Sequence, residues 1–103
     1  MASIVDRRLE LHDLLESICE DVYFEPPTGK QLVYPCIIYT RDYSKIDRAD
    51  NKPYIANTRY SVTVIDPDPD SEIVPKMEQL EKCSYDRHYS ADGLNHDTFT
   101  LYY

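Results

Sequence analysis

The stretch that decides the fold is YDRHYSADGLNHDTFTLYY, residues 85–103. Its Asp92-Gly93 dipeptide is typical of a two-residue β-turn, and both flanking runs are rich in aromatic and polar residues. In the second run the side chains alternate between two faces, with Phe99, Leu101 and Tyr103 on one of them. We therefore predict a β-hairpin that ends on its last strand, and we expect the final residue to be structural.

Two helices are predicted upstream from apolar residues at helical spacing. Ser3 with Asp6 is a capping signal for the first helix, and either Asp70 or Ser71 can cap the second. The apolar face of the first helix consists of Ile4, Leu11, Leu15, Ile18 and Val22, with Leu14 and Cys19 at its edges. The stripe of the second helix consists of Ile73, Met77 and Leu80.

The strands are predicted between these helices. Residues 32–40 are apolar on both faces, and Pro35 within them marks an edge, a bulge or the beginning of the strand because proline cannot donate to a ladder. Residues 57–65 alternate, with Tyr60, Val62 and Val64 on one face. Residues 22–24 can form a further short strand.

The long connection between these two strands, residues 41–56, is charged and aperiodic, and we call it the arm. It is longer than a hairpin needs, so it is a two-stranded ribbon, a surface loop, or a projection ordered by a neighbouring molecule. Basic residues and tyrosines are interleaved in it, and aspartates neutralise the bases, which favours a protein partner over nucleic acid. The predicted interface residues are Arg41, Tyr43, Lys45, Arg48 and Tyr54.

The composition limits the class of protein. Nineteen acidic and eleven basic residues give a net charge of −8, which argues against a protein that grips DNA or RNA phosphates. Three widely spaced cysteines, Cys19, Cys36 and Cys83, fit reduced thiols, with Cys19 expected on the first helix and Cys36 in a strand. No signal peptide and no stretch long enough to span a membrane is found in the sequence.

Two groups of residues could carry chemistry, and for both we favour a structural role. Asp66, Asp68 and Asp70 resemble the opening of a calcium loop, but the required glycine and glutamate are missing, so these are loop and capping carboxylates. His88 and His96 could meet across the hairpin, with Asp86 and Asp97 beside them, and bind a metal; cross-strand polar pairing is the simpler reading. His12 is expected at the surface. We predict no enzyme activity, metal or cofactor.

The element order predicts one α+β domain over residues 1–103. It is a two-layer sandwich of a mainly antiparallel sheet with two flanking helices and a long inter-strand arm.

Four segments together resemble a known family: residues 34–39, the arm, the strand at 59–65, and residues 95–103. In element order and length they are similar to the small tail-completion proteins of long-tailed bacteriophages, in particular the tail terminator. The resemblance implies a structural virion protein in the tail or neck, assembled in the host cytoplasm, with no catalytic residues. It forms a homo-oligomeric ring, commonly a hexamer.

The same resemblance implies that the ring caps the tail tube and provides the surface for head–tail joining. The implied partners are the tail tube protein and the head–tail connector protein, and DNA passes through the lumen without specific binding. Two alternatives stay open: another neck component, or a small acidic DNA-mimic inhibitor of a host protein.

Overall fold

The computed structural model of this protein describes residues 4–42 and 58–103. Within them the chain forms an α+β domain with two helices and a five-stranded mixed sheet, so the predicted fold class is confirmed at this level. The elements in chain order are α1 (Ile4–Glu16), β1 (Val22–Phe24), β2 (Cys36–Arg41), β3 (Arg59–Asp66), α2 (Ile73–Glu78), β4 (Cys83–Ala91) and β5 (Leu94–Tyr102).

The strand order in the sheet is β1-β2-β3-β5-β4. The short β1 pairs parallel with β2, and the other three neighbouring pairs are antiparallel. β3 is therefore central, bonded to β2 on one side and to β5 on the other. A parallel neighbour at one edge makes the sheet mixed, which the sequence did not reveal.

The predicted hairpin is confirmed. Asp92 and Gly93 both have positive φ, 54° and 76°, which is the backbone that a tight two-residue turn between right-twisted strands requires. The turn closes β4 onto β5 in the register Ala91 opposite Leu94. A β-bulge between Tyr85 and Arg87 gives β4 one extra residue, Asp86, relative to β5.

The core lies on one face of the sheet, because alternate residues of each strand turn to the same side. Val62 on β3 lies between Tyr39 on β2 and Phe99 on β5, and all three are fully buried. Leu11 and Leu15 of α1 and the buried residues of α2 pack on this same face. The cluster comprises Leu11, Leu15, Cys19, Ile37, Tyr39, Tyr60, Val62, Val64, Ile73, Met77, Phe99 and Leu101.

The first helix is shorter than predicted. It ends at Glu16, and Ile18 and Cys19 follow it in a turn held by hydrogen bonds to the carbonyl of Leu15. The short strand predicted at residues 22–24 is confirmed as β1, so the assignment of Val22 to the helix face was wrong. The apolar spacing continues past the helix end because Ile18 and Cys19 still pack against the same core.

Two other boundaries also move. β2 begins at Cys36, immediately after Pro35, so the residues before Pro35 lie outside the strand and the proline marks its beginning. α2 spans Ile73–Glu78, so Leu80 contacts the core from beyond the helix. The N-cap residue is Glu72, and its position has no side-chain capping hydrogen bond, so the prediction that Asp70 or Ser71 caps the helix was wrong. The Ser71 hydroxyl accepts a hydrogen bond from the Ile73 N–H at 3.2 Å, which forms a side-chain turn ahead of the helix.

Candidate interaction site

Of the five residues predicted for a partner interface, the structure describes one. Arg41 is the last residue of β2. Its guanidinium lies over the Phe24 ring at 5.2 Å, and its backbone N–H donates to a carboxylate oxygen of Glu25 at 3.2 Å. The other four, Tyr43, Lys45, Arg48 and Tyr54, lie outside the described residues. Arg41 is half-buried, so its side chain packs within the domain as well as marking where the arm begins.

The two strands that carry the arm are tied together where it leaves the sheet. The Asp42 N–H donates to the carbonyl of Arg59 at 2.9 Å, and the Arg59 guanidinium pairs with the Asp42 carboxylate at 3.4 Å. The Tyr103 N–H adds a bond to the carbonyl of Thr58 at 2.9 Å. This arm root (Asp42, Thr58 and Arg59) is therefore part of the sheet ladder, and the arm starts from a fixed base.

The second face of the sheet carries rows of hydroxyl groups. Register places Thr63 beside Thr98, and Ser61 between Thr40 and Thr100. The hydroxyl face comprises Thr40, Ser61, Thr63, Ser84, Thr98 and Thr100. Ser84 is exposed, and the other residues of this face are half-exposed. The buried residues of both helices belong to the opposite face of the sheet. Polar side chains on one face of an antiparallel ladder are typical of a surface that meets water or a polar partner.

The outer strand of the hairpin is the most exposed element of the sheet. Within residues 4–42 and 58–103, β4 neighbours β5 alone, and every residue of β4 except Cys83 is exposed. Tyr85 and Tyr89 are 42% and 38% exposed although they are large rings. Exposed tyrosines beside an open strand edge are the features by which sheets add a partner strand.

The carboxylate of Asp97 links the two strands of the hairpin. Its carboxylate is buried and one of its oxygens accepts two hydrogen bonds, from the Tyr85 hydroxyl at 2.7 Å and from Nδ1 of His88 at 2.9 Å. The bond to Asp97, together with burial, raises the pKa of Tyr85 to about 12. Both donors come from β4 and the acceptor from β5, so this is the cross-strand pairing that the sequence favoured.

The two histidines of the hairpin do not meet. His88 is opposite Asp97, whereas His96 is opposite Tyr89 and stacks on its ring at 4.7 Å. Asp86 accepts a hydrogen bond from the Thr100 hydroxyl at 2.9 Å, on the hydroxyl face. Among residues 4–42 and 58–103, no three His, Cys, Asp or Glu side chains are grouped so that they could hold a metal ion.

The expectation that His12 is ordinary surface was wrong. Its Nδ1 lies 2.8 Å from the hydroxyl of the fully buried Tyr39, which also accepts a hydrogen bond from Arg8 at 3.2 Å. The ring of His12 is tilted against that of Tyr39, with centroids 5.7 Å apart. A buried tyrosine needs a partner for its hydroxyl, and α1 supplies it; only the tertiary packing of α1 on β2 reveals this.

The aspartates at the end of β3 and just after it form turns. Asp66 accepts the N–H of Asp68 at 2.8 Å, and Asp68 accepts the N–H of Asp70 at 2.9 Å. Carboxylates that accept an N–H two residues on are the mark of Asx-turns. The interpretation of these residues as loop carboxylates is therefore confirmed.

A groove of about 490 Å³ lies between α1, the connection from α2 to β4, and the end of β5. Arg7, the cation on its α1 side, donates two hydrogen bonds of 3.1 Å to the carbonyl oxygen of Tyr103 and lies over its ring at 4.9 Å. Glu81 and Lys82 line the other side. Arg7 is already hydrogen-bonded to Tyr103, and the remaining charges along the groove are mixed. The groove therefore indicates no particular ligand.

All three cysteines are reduced and buried or half-buried, and Cys36 lies in a strand as predicted, whereas Cys19 is in the turn after α1. Burial raises the pKa of Cys36 to about 12 and that of Cys83 to about 11, and it also raises the pKa of Cys19. A raised thiol pKa is the opposite of what a nucleophile needs.

The thiols are therefore expected to resist labelling in the native protein. At pH 8, a pKa of about 12 instead of 9.0 lowers the thiolate fraction of Cys36 about a thousandfold, and burial excludes the reagent as well. A colorimetric thiol reagent should react with all three cysteines in denaturant, but at most slowly with Cys83 in buffer. Rapid labelling of Cys36 in the folded protein would show that β2 opens readily.

The comparisons with known proteins add no relative. No protein-family model, curated protein or solved structure matches the chain. Neither helix of the described residues is long and apolar enough to cross a membrane.

Proposed function

We propose that this protein is a structural subunit of a bacteriophage tail or neck, a tail terminator that assembles into a hexameric ring. In this proposal the ring caps the tail tube and offers the surface on which the head–tail connector docks. It acts by binding and not by catalysis, and it works in the virion after assembly in the host cytoplasm.

The observation that carries the proposal is the asymmetry of the sheet. Both helices bury their apolar residues on one face, whereas the hydroxyl face stays half-exposed and ends at the arm root. In a two-layer domain of this kind, the second face is available for contact between copies. Short hydroxyl side chains lose little conformational entropy when a neighbouring copy docks on them.

The arm is the second part of the proposed ring contact. It leaves the sheet from a root fixed by Asp42 and Arg59, and its sequence interleaves bases with tyrosines. Arginine and tyrosine are the residues that most often anchor protein interfaces. Tyr43, Lys45, Arg48 and Tyr54 would reach an adjacent copy, where they would meet some of the excess acidic residues of this chain.

The net charge of −8 suits a ring through which DNA passes. Like charges repel, so an acidic wall would let the phosphate backbone slide without binding. The same charge fits a small DNA-mimic inhibitor less well, because Asp66 and Asp68 are engaged by backbone N–H groups and bases are scattered among the acids.

The proposal predicts concentration-dependent assembly. In sedimentation velocity, the purified protein is expected to shift from small species to one large species as its concentration rises, and negative-stain electron microscopy should show rings. Addition to uncapped tail tubes should stop their growth and allow heads to attach. A protein that stays strictly monomeric at high concentration, and does not bind tail tubes, would contradict the proposal; rings that bind connectors but not tubes would favour another neck component.

A further inference from the structure

The outer edge of β4 has no strand beside it among the described residues. Nine residues long, it is the longest exposed edge of the sheet, since the opposite edge strand, β1, has three residues. Along such an edge, alternate residues direct their N–H and C=O groups away from the sheet, where another strand can bind them.

The register identifies which residues of β4 face outward. Backbone groups of β4 point alternately toward β5 and toward the outer edge, and this alternation is fixed at both ends of the strand. At one end the two-residue turn closes on the pair Ala91 and Leu94. At the other end the Tyr102 N–H donates to the carbonyl of Lys82 at 3.1 Å. The bulge at Asp86 shifts this alternation by one residue in the middle. The backbone groups that face outward are those of Cys83, Tyr85, His88 and Ser90.

This set is symmetric about the point between Asp86 and Arg87. A second copy of β4, turned antiparallel about a two-fold axis through that point, brings its Ser90 opposite Cys83 and its His88 opposite Tyr85. Outward-facing residues then meet outward-facing residues along the whole edge. In a regular strand, an axis between two neighbouring residues would pair outward with inward residues, so the extra residue of the bulge is what makes this register possible.

The charges at the axis are complementary in the same register. Asp86 of each copy lies opposite Arg87 of the other, which gives two opposite-charge pairs. Both side chains belong to the hydroxyl face: the Asp86 carboxylate accepts from Thr100, and Arg87 is paired with Thr98. Opposite charges directly across an antiparallel pair stabilise it, whereas like charges destabilise it.

We propose that two copies of this protein pair antiparallel through β4, about a two-fold axis between Asp86 and Arg87, and so join two sheets into one. The contact uses the same patch on both copies, so it closes on itself as a dimer. It is separate from a head-to-tail ring contact and does not depend on the proposed function.

The test is a pair of charge reversals, each of which is expected to weaken dimerisation alone and which complement one another when the two variants are mixed. D86R turns both charge pairs at the axis into pairs of arginines, and R87D turns both into pairs of aspartates. Each variant alone is expected to dimerise at least about tenfold more weakly than the wild type, measured by sedimentation at low salt. An equimolar mixture restores both opposite-charge pairs in a heterodimer and is expected to return to about the wild-type affinity.

The controls are K30D and E20R, which make the same changes of charge at exposed positions beside β1, at the opposite edge of the sheet, and should dimerise like the wild type. D86K with R87E serves as a second pair; because D86R and D86K both remove the acceptor of the Thr100 hydroxyl, thermal unfolding selects the pair that is folded. The proposal is overturned if the single variants dimerise like the wild type, or if a mixture of folded variants associates no better than either alone.

Discussion

Leu11→Ala is expected to destabilise the domain by about 2–5 kcal/mol. The Leu11 side chain is fully buried in the cluster between α1 and the sheet, so its removal loses apolar burial and leaves a cavity. A domain of this size is stable by about 5–15 kcal/mol, so the loss is a large part of the total. Urea unfolding should show a lower midpoint, and the thermal midpoint should fall by at least about 10 °C.

The matched control is Leu9→Ala, the same substitution two residues away on the same helix. Leu9 is 49% exposed, so the expected change lies within about 0.5 kcal/mol. Equal effects at the two positions would mean that α1 does not dock on the sheet in the observed orientation. The pair therefore tests the helix register independently of overall stability.

Deleting residues 43–52 is expected to leave the fold intact and to weaken assembly strongly. The deletion leaves residues 53–57 to connect Asp42 and Thr58, whose neighbourhood is already held by the Asp42–Arg59 contacts. A connection roughly threefold shorter costs about 1 kcal/mol less in closure entropy, so stability should be unchanged or slightly higher. Assembly should weaken at least about a hundredfold in sedimentation, because the proposed arm anchors are removed.

A length-matched variant separates the role of the arm's side chains from that of its length. Replacing residues 43–52 by glycine and serine keeps the span and removes Tyr43, Lys45 and Arg48, so it too should assemble poorly. If the deletion unfolds the protein, the arm belongs to the core. If it assembles like the wild type, the arm does not make the ring contact.

The hairpin shows how much of this fold local sequence determines. The Asp92-Gly93 turn and the alternation through Phe99 and Leu101 predicted its position and which residues share a face, and both are confirmed; the face of Phe99 and Leu101 is the buried one. The end of α1 was missed for two reasons. No glycine or proline directly follows Glu16, and Ile18 continues the helical spacing of apolar residues beyond the end of the helix. The parallel pairing of β1 with β2 depends on residues far apart in the chain, so no local pattern could predict it.

The site was less predictable than the fold. Asp86, Asp97 and His88 were recognised as neighbours on the hairpin, but the bulge that turns Asp86 to the hydroxyl face depends on the register between β4 and β5. The contact between His12 and Tyr39 required knowledge of which strand α1 packs on. Four of the five predicted interface residues lie outside the described residues, so their role stays a prediction.

The order of strands has a consequence for synthesis on the ribosome. β5 is made after β4 and yet lies between β3 and β4, so β3 has no partner on that side until the β5 segment has emerged. A chain that stopped at Ala91 would lack β5, which leaves one side of the central strand without a partner and Val62 and Val64 without the cover of Phe99. The sheet is therefore expected to be completed only after residue 102 has left the ribosome, and not strand by strand during translation.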